Sequence, residues 1–355
     1  MKFFVTLFST ILVVCGKVNF TNLSRYSELN EKTYRRHFGV EFKFTQLNVE
    51  LVNLTAGAGQ ALLLVMDCSF IAKSGKATDG IDWYWNGCAS RVEKGLEMSL
   101  VGVVDIETET AYALSAQQTL AQADLPREIT RMDQYLNHLE TVRTHLPPQV
   151  RYLAVDGAYA KANFVSGAVG CQLDVISKLR CDANLRYLYT GEQKKRGRKR
   201  KYDGKVDFTD LSRFTWVAAV QPNVDLYTAR VWHVSLQREI RVVYLIDRRS
   251  PAKTLPKVTH PSTHQFVTPT DNPKYGWVTL GRSVVAPQRV GRCLLFSTDV
   301  EQDAQQIYQF YKLRFQIEFI FRDAKQFIGL EDCQARDLVK LEFHFNASLT
   351  ALNFR

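Results

Sequence analysis

Residues 61–67 read Ala-Leu-Leu-Leu-Val-Met-Asp, and residues 152–157 read Tyr-Leu-Ala-Val-Asp-Gly. Each begins as a short apolar run and reaches a carboxylate. A continuous apolar run of this length suits a central strand buried on both faces of a sheet. Two further β-compatible runs, about 96–104 and 110–115, flank the polar turn Asp105 to Glu109 and read as a hairpin. A helix is expected to open at Pro126, a good first-turn residue. Its apolar positions Ile129, Met132, Leu136, Leu139, Val142 and Leu146 recur at three- and four-residue steps, and Pro147-Pro148 stops it. The element order is therefore strand, strand, strand, helix, strand, with Asp67 and Asp156 at the tips of the first and last strands. Two carboxylates repeated at strand tips are the first functional clue.

Working outward, residues 19–38 fit two short helices, with Thr21 or Asn22 capping the first and Asn30 the second. The second is basic (Lys32, Arg35, Arg36), which suits helix-turn-helix DNA binding or, equally, a solvated face. The apolar run Phe3 to Cys15 is too short to span a bilayer. It reads either as a signal peptide, with Val13-Val14-Cys15-Gly16 resembling a lipoprotein cleavage site, or as a buried amphipathic helix. Between 186 and 299 the texture changes. The basic run Lys194–Lys201 leads into strand-like segments at Phe214–Ala219, Ala229–Val234 and Arg241–Ile246, a β-rich insertion. Helical patterning returns from Asp303 through Phe327.

Hydrophobic residues at 46% and charged residues at 23% lie near globular averages and exclude wholesale disorder. The 355-residue chain has 46 Lys and Arg against 36 Asp and Glu. That excess favours a polyanionic partner, nucleic acid before an anionic membrane. The seven cysteines form no C-x-x-C pair. This argues against a zinc ribbon or a secreted disulfide framework and suits a reducing cytoplasm.

Treated as one continuous helix, residues 303–327 place Tyr311, Arg314, Glu318 and Lys325 within an arc of about 60°. Phe310, Leu313, Ile317, Phe321 and Ala324 fill the adjoining arc and should face a core. A helix with an ordinary salt-bridged polar face has the same appearance. The spacing Tyr311, two residues, Arg314, three residues, Glu318, six residues, Lys325 is more specific. It resembles the Y-(2)-R-(3)-E-(6)-K signature of a branch of DDE insertion-sequence transposases. Asp156-Gly157-Ala158-Tyr159 resembles their second-Asp motif, and Asp67 stands where the first-Asp strand should end. The resemblance spans about residues 15 to 340.

That resemblance implies an α/β protein with a ribonuclease H-like core. Its domains would be a helical N-terminal region (1–57), the core's first part (58–185), the β-rich insertion (186–299) and the catalytic helix with the C-terminal end (300–355). Asp67, Asp156 and Glu318 would hold two Mg²⁺ or Mn²⁺ ions, for which carboxylates are suitably hard ligands. Tyr311, Arg314 and Lys325 would contact DNA phosphates. The implied activity is phosphodiester cleavage at element ends, with a hairpin intermediate in this branch, and strand transfer into target double-stranded DNA. The implied protein is a cytoplasmic, nucleoid-associated homo-oligomer with no membrane partner. A Trp of the insertion would hold an extruded base, with Trp216, Trp232 and Trp277 as candidates, though a buried core Trp has the same sequence appearance. The Arg-Gly-Arg within 194–201 suits backbone tracking or a solvated loop, and Asp82, Trp83, Trp85 and Gly87 read as an aromatic loop. The alternative is a truncated derivative that binds element ends without cutting.

Overall fold

The computed structural model describes residues 2–56, 59–248 and 291–355. Four helices lead: α1 (Lys2–Val13), α2 (Phe20–Arg25), α3 (Glu31–His37) and α4 (Phe44–Ala56). The apolar N-terminal run forms α1, which buries Leu7, Phe8 and Ile11 in a cluster with Tyr34, Phe38 and Phe343. Asn30 caps α3 as expected, accepting the Thr33 N–H at 2.8 Å. The cap of α2 is Asn19 instead of Thr21 or Asn22; its side-chain oxygen takes the Asn22 N–H at 2.9 Å. Asn22 turns its amide outward to the carbonyls of Cys15 and Lys17.

The sheet begins with β1 (Leu62–Ile71), β2 (Asp82–Asn86), β3 (Arg91–Asp105) and β4 (Ala111–Gln118). The hairpin expected around Asp105–Glu109 is β3–β4. Asp82, Trp83 and Trp85 lie on strand β2, paired to β3, and not in a loop. Helix α5 (Arg131–Arg143) starts later than the Pro126 expectation. Thr130 and Asp133 form a reciprocal capping box there, and a cap that satisfies two free N–H groups overrides a proline that satisfies none. Then come β5 (Tyr152–Val155), α6 (Ala162–Gly170) and β6 (Asp174–Leu179).

The strand-like segments of the expected insertion are real strands: β7 (Leu185–Leu188), β8 (Tyr202–Lys205), β9 (Thr215–Gln221), β10 (Val224–His233) and β11 (Arg238–Asp247). They form no separate sheet. Strand β12 (Gly291–Ser297) pairs with β6 on one side and β11 on the other, joining all of them into one mixed sheet. Its order is β2-β3-β1-β5-β6-β12-β11-β10-β7-β8, with β4 also on β3 and β9 on β10. β1 runs antiparallel to β3 and parallel to β5, which is parallel to β6.

The apolar run in β1 is explained by cover on both faces. Leu64 and Met66 join Val101, Leu139 and Phe164 on one side; Leu63 and Val65 join Leu100, Ile317 and Phe321 on the other. Three helices close the chain: α7 (Ala304–Leu313), α8 (Gln316–Phe327) and α9 (Leu338–Asn353). Helix α9 covers the open edge of β4 with side chains in place of a strand. Asn346 accepts the Ala116 N–H at 2.9 Å and donates to its carbonyl at 2.8 Å, while Asn353 does the same at Ala113. Unpaired strand edges are thereby satisfied. Among the described residues no helix is long and apolar enough to cross a membrane.

Candidate active site

Asp67 is not at the tip of its strand. β1 continues to Ile71 because β3 pairs with it as far as Leu96. The ladder on the other side ends earlier, with Met66 opposite Val155, the last residue of β5. Asp67 therefore sits one step beyond the ladder, and Asp156 leaves β5 at the same level. Asp156 accepts the Ala158 N–H at 3.4 Å and caps a single 3₁₀ turn, Gly157–Tyr159.

The expected long helix is broken. Arg314 ends α7 and Phe315 precedes α8. Across the junction the N–H groups of Phe315, Ile317 and Glu318 bond three residues back, to Lys312, Arg314 and Phe315. Such i→i−3 bonding has about three residues per turn, so the 100° wheel does not hold through Arg314. The apolar stripe survives: Phe310, Leu313, Ile317, Phe321 and Ala324 are all buried. The tight junction swings Arg314 onto β1. Its Nη1 donates to Asp67 Oδ2 at 3.2 Å and its Nη2 to Glu318 Oε1 at 3.4 Å. The side chain is only 11% exposed, and Nε has no protein partner among the described residues.

The electrostatics follow from this clustering. Burial pushes the Asp67 carboxyl up to about 6, and the charges of Asp156 and Glu318 act the same way; the Cys68 N–H and Arg314 oppose them. Burial alone would lower the Arg314 pKa, yet Asp67, Tyr311, Asp156 and Glu318 together raise it. The Tyr311 hydroxyl is pushed up to about 12 by burial, with the guanidinium 5.7 Å from its ring centre. A strand, the turn after a second strand and a helix junction thus bring three carboxylates, an arginine and a tyrosine within electrostatic reach of one another, with Arg314 in contact with Asp67 and Glu318.

The model of the transposase DDE domain family matches residues 108–354, most of the chain. The chain belongs to the DDE transposase family. A search of curated proteins found no match. The matched span contains Asp156, Tyr311, Arg314, Glu318 and Lys325 but begins after β1. Asp67 is tied to the same site by the Arg314 contact instead. DNA is the partner that membership in a transposase family implies.

The transposase places its other predicted residues less uniformly. Lys325 is engaged by its own chain: Nζ donates to the Phe70 carbonyl at 2.6 Å and pairs with Glu331 at 2.8 Å. An ammonium has three donors, so one remains for a phosphate. Trp216 is 56% exposed on β9, so the core reading fails for it; Trp232 is half-buried against Tyr202; Trp277 lies outside the described residues. The 194–201 run is exposed between β7 and β8, where Arg200 pairs with Asp203.

The sequence reading missed a buried polar link behind the site. The Cys68 thiol and the Tyr159 hydroxyl lie 3.1 Å apart, and Tyr135, packed on Tyr159, donates to Glu97 at 2.5 Å. Cys68 follows Asp67, while the Tyr159 N–H bonds the Asp156 carbonyl. The strand that bears Asp67 and the turn that Asp156 caps are therefore joined through one side-chain contact. Its only sequence signal was Tyr159 in the Asp-Gly-Ala-Tyr motif.

The donor set suits a hard divalent ion: carboxylate oxygens, partly desolvated, with Asp67 carrying charge at a cost. Among the described residues no three His, Cys, Asp or Glu side chains stand close enough to hold one ion together. Arg314 is the cation between Asp67 and Glu318 in this arrangement.

Proposed function

We propose that this transposase cleaves DNA at the ends of its element and joins those ends to target DNA, with Asp67, Asp156 and Glu318 as the ligands of two Mg²⁺ or Mn²⁺ ions. The observation that carries the reading is the Arg314 bridge, which draws together Asp67, 247 positions away, and Glu318. When bound, such ions supply activation of the attacking water or 3′-hydroxyl and stabilisation of the leaving oxygen in an in-line displacement. Arg314 and Tyr311 hold the phosphodiester beside the carboxylates, Arg314 through its paired guanidinium donors. For that, Arg314 would exchange its contacts with Asp67 and Glu318 for phosphate oxygens, leaving those carboxylates free to hold metal. Lys325 steadies a neighbouring phosphate with its remaining donor. The sheet order β4-β3-β1-β5-β6, antiparallel then parallel, supports a ribonuclease H-like core. In this reading 1–57 is a helical N-terminal region, 58–185 and 300–355 make the core, and 186–299 is a β-rich insertion that lengthens the core sheet. The protein acts as a cytoplasmic, nucleoid-associated homo-oligomer on double-stranded DNA.

The test is cleavage of a duplex spanning the DNA that flanks the reading frame, with Mg²⁺, Mn²⁺ or chelator. Metal-dependent nicking by the wild type, lost in Asp156→Ala while DNA binding persists, is expected. Binding without any cutting would leave the non-cutting end-binder as the correct reading.

A further inference from the structure

A cavity of about 520 Å³ opens beside Asp156 and is lined in part by Asp156, Lys161, Lys178, Arg180, His233 and Ser235. Its floor follows from the sheet. β5 and β6 are parallel, with Ala154 beside Ile176, so the chain beyond β5 passes Lys178. It passes closely: a Cβ on Gly157 would stand 3.0 Å from the Lys178 carbonyl oxygen. Lys161 stands at the start of α6, making no capping bond with its side chain.

The lining is rich in hydrogen-bond donors. Lys161 and Lys178 have exposed side chains with no hydrogen bond or ion pair to any described residue. His233 is buried; its Nδ1 accepts the Leu236 N–H at 3.1 Å, and burial lowers its pKa. A neutral ring that accepts at Nδ1 carries its proton on Nε2 and can only donate there. Of the two lining carboxylates, Asp182 is held by Arg180 through two bonds of 2.9 Å, and Asp156 belongs to the triad. Two unpaired ammonium groups and an imidazole N–H around one cavity want an acceptor with several oxygens.

We infer that this cavity seats one backbone phosphate of the DNA strand that runs past Asp156, gripped by Lys161 and Lys178 with the His233 ring beside them. The inference rests on the proposed DNA-cleaving function and assigns the strand a path: one phosphate at Arg314 and Tyr311, another in the cavity that Asp156 helps to line. Held at two phosphates, the scissile linkage is fixed relative to the carboxylates, which is how positioning lowers a barrier.

The test compares wild type with Lys161→Ala/Lys178→Ala and with Lys161→Arg/Lys178→Arg, on the duplex used above. Both lysines are exposed, so the fold should survive, and equal urea midpoints check it. Neutralising one phosphate contributes about 0.9 to the slope of log affinity against log salt. The alanine pair should lower the slope by about that amount and weaken binding about tenfold or more; the arginine pair should keep most of both. Ethylation interference should show one phosphate whose modification weakens the wild type but no longer matters to the alanine pair. An unchanged slope overturns the inference. So does a changed slope with an unchanged interference pattern, which would signify diffuse charge and not a seated phosphate. These readouts need binding alone. A protein that binds with the predicted pattern yet never cuts refutes the proposed cleavage and keeps the phosphate site; a protein that cuts with an unaltered alanine-pair pattern does the reverse.

Discussion

Replacing Arg314 with Ala isolates the charge balance of the site. At 3.2 Å and an effective dielectric of about 20, the Arg314–Asp67 attraction is about 5 kcal/mol, before the desolvation of both ions offsets much of it. The net loss is bounded by a different route: without Arg314, Asp67 takes up a proton. Its pKa is already about 6 beside the arginine, against an ordinary 3.8. Protonating it at about pH 7.5 therefore costs about 2 kcal/mol, and the electrostatic loss cannot greatly exceed that. Glu318 adds little, since its side chain is 47% exposed and screened. The sign with pH follows. Asp67's raised pKa means the folded state gains stability as pH falls from about 6 toward 3.8. The arginine contact works only while Asp67 is ionised, so its contribution is present above about 6 and lost as pH falls through that value. Urea denaturation of metal-free wild type and Arg314→Ala should show a gap of about 2 kcal/mol near pH 7.5 that shrinks toward zero near pH 5.5. Added Mg²⁺ should narrow the gap at the higher pH by replacing the missing cation. A gap that ignores pH would show that Arg314 contributes by packing and not by charge.

Three further outcomes are expected. Lys325→Ala should weaken element-end binding and slow cleavage by about ten- to a hundredfold with metal affinity nearly intact, Lys325→Arg recovering part; a change under about twofold in a cleavage assay would reduce Lys325 to a tie between α8, Phe70 and Glu331. Tyr159→Phe, which removes only the hydroxyl facing Cys68, should cost about 1 kcal/mol in stability and slow cleavage at unchanged DNA affinity; wild-type single-turnover rates would deny it a positioning role. His138 lies buried between Ser99 at 2.7 Å and Ser115 at 3.0 Å, its pKa lowered by burial to about 3 from 6.5. The unfolded ring binds a proton that the folded ring refuses, so stability should fall as pH drops below 6.5, by about 2 kcal/mol at about pH 5. His138→Asn should flatten that part of the denaturation profile, and an unchanged profile would place the acid sensitivity elsewhere.

Local chemistry in the chain was enough for the elements near the site. Asp156 leaves a short apolar strand as its sequence predicts, because four apolar residues bounded by Asp-Gly have little alternative to a buried strand with a turn. The same holds for the hairpin at Asp105–Glu109, the α3 cap at Asn30 and the buried stripe from Phe310 to Ala324. Each depends on neighbours within a few positions. The same local chemistry leaves the start of α5 ambiguous, because the proline signal at Pro126 competes with a capping box a few residues on.

What the sequence by itself determined was the set of chemical groups, their spacing along the chain and the type of most elements. What only the tertiary structure decided was which groups meet. Asp67 lies within a strand rather than at its tip because β3 pairs beyond it while β5 stops, and neither fact is local to Asp67. Arg314 reaches Asp67 because the helix tightens at Phe315, where packing of the Ile317 and Phe321 stripe against the sheet sets the path. The strands expected as an insertion share one sheet with β1, β5 and β6 through β12, which pairs with β6 on one side and β11 on the other. Long-range strand pairing and burial are properties of the assembled chain, because a contact between positions hundreds of residues apart leaves no periodicity in the sequence for local reading to detect.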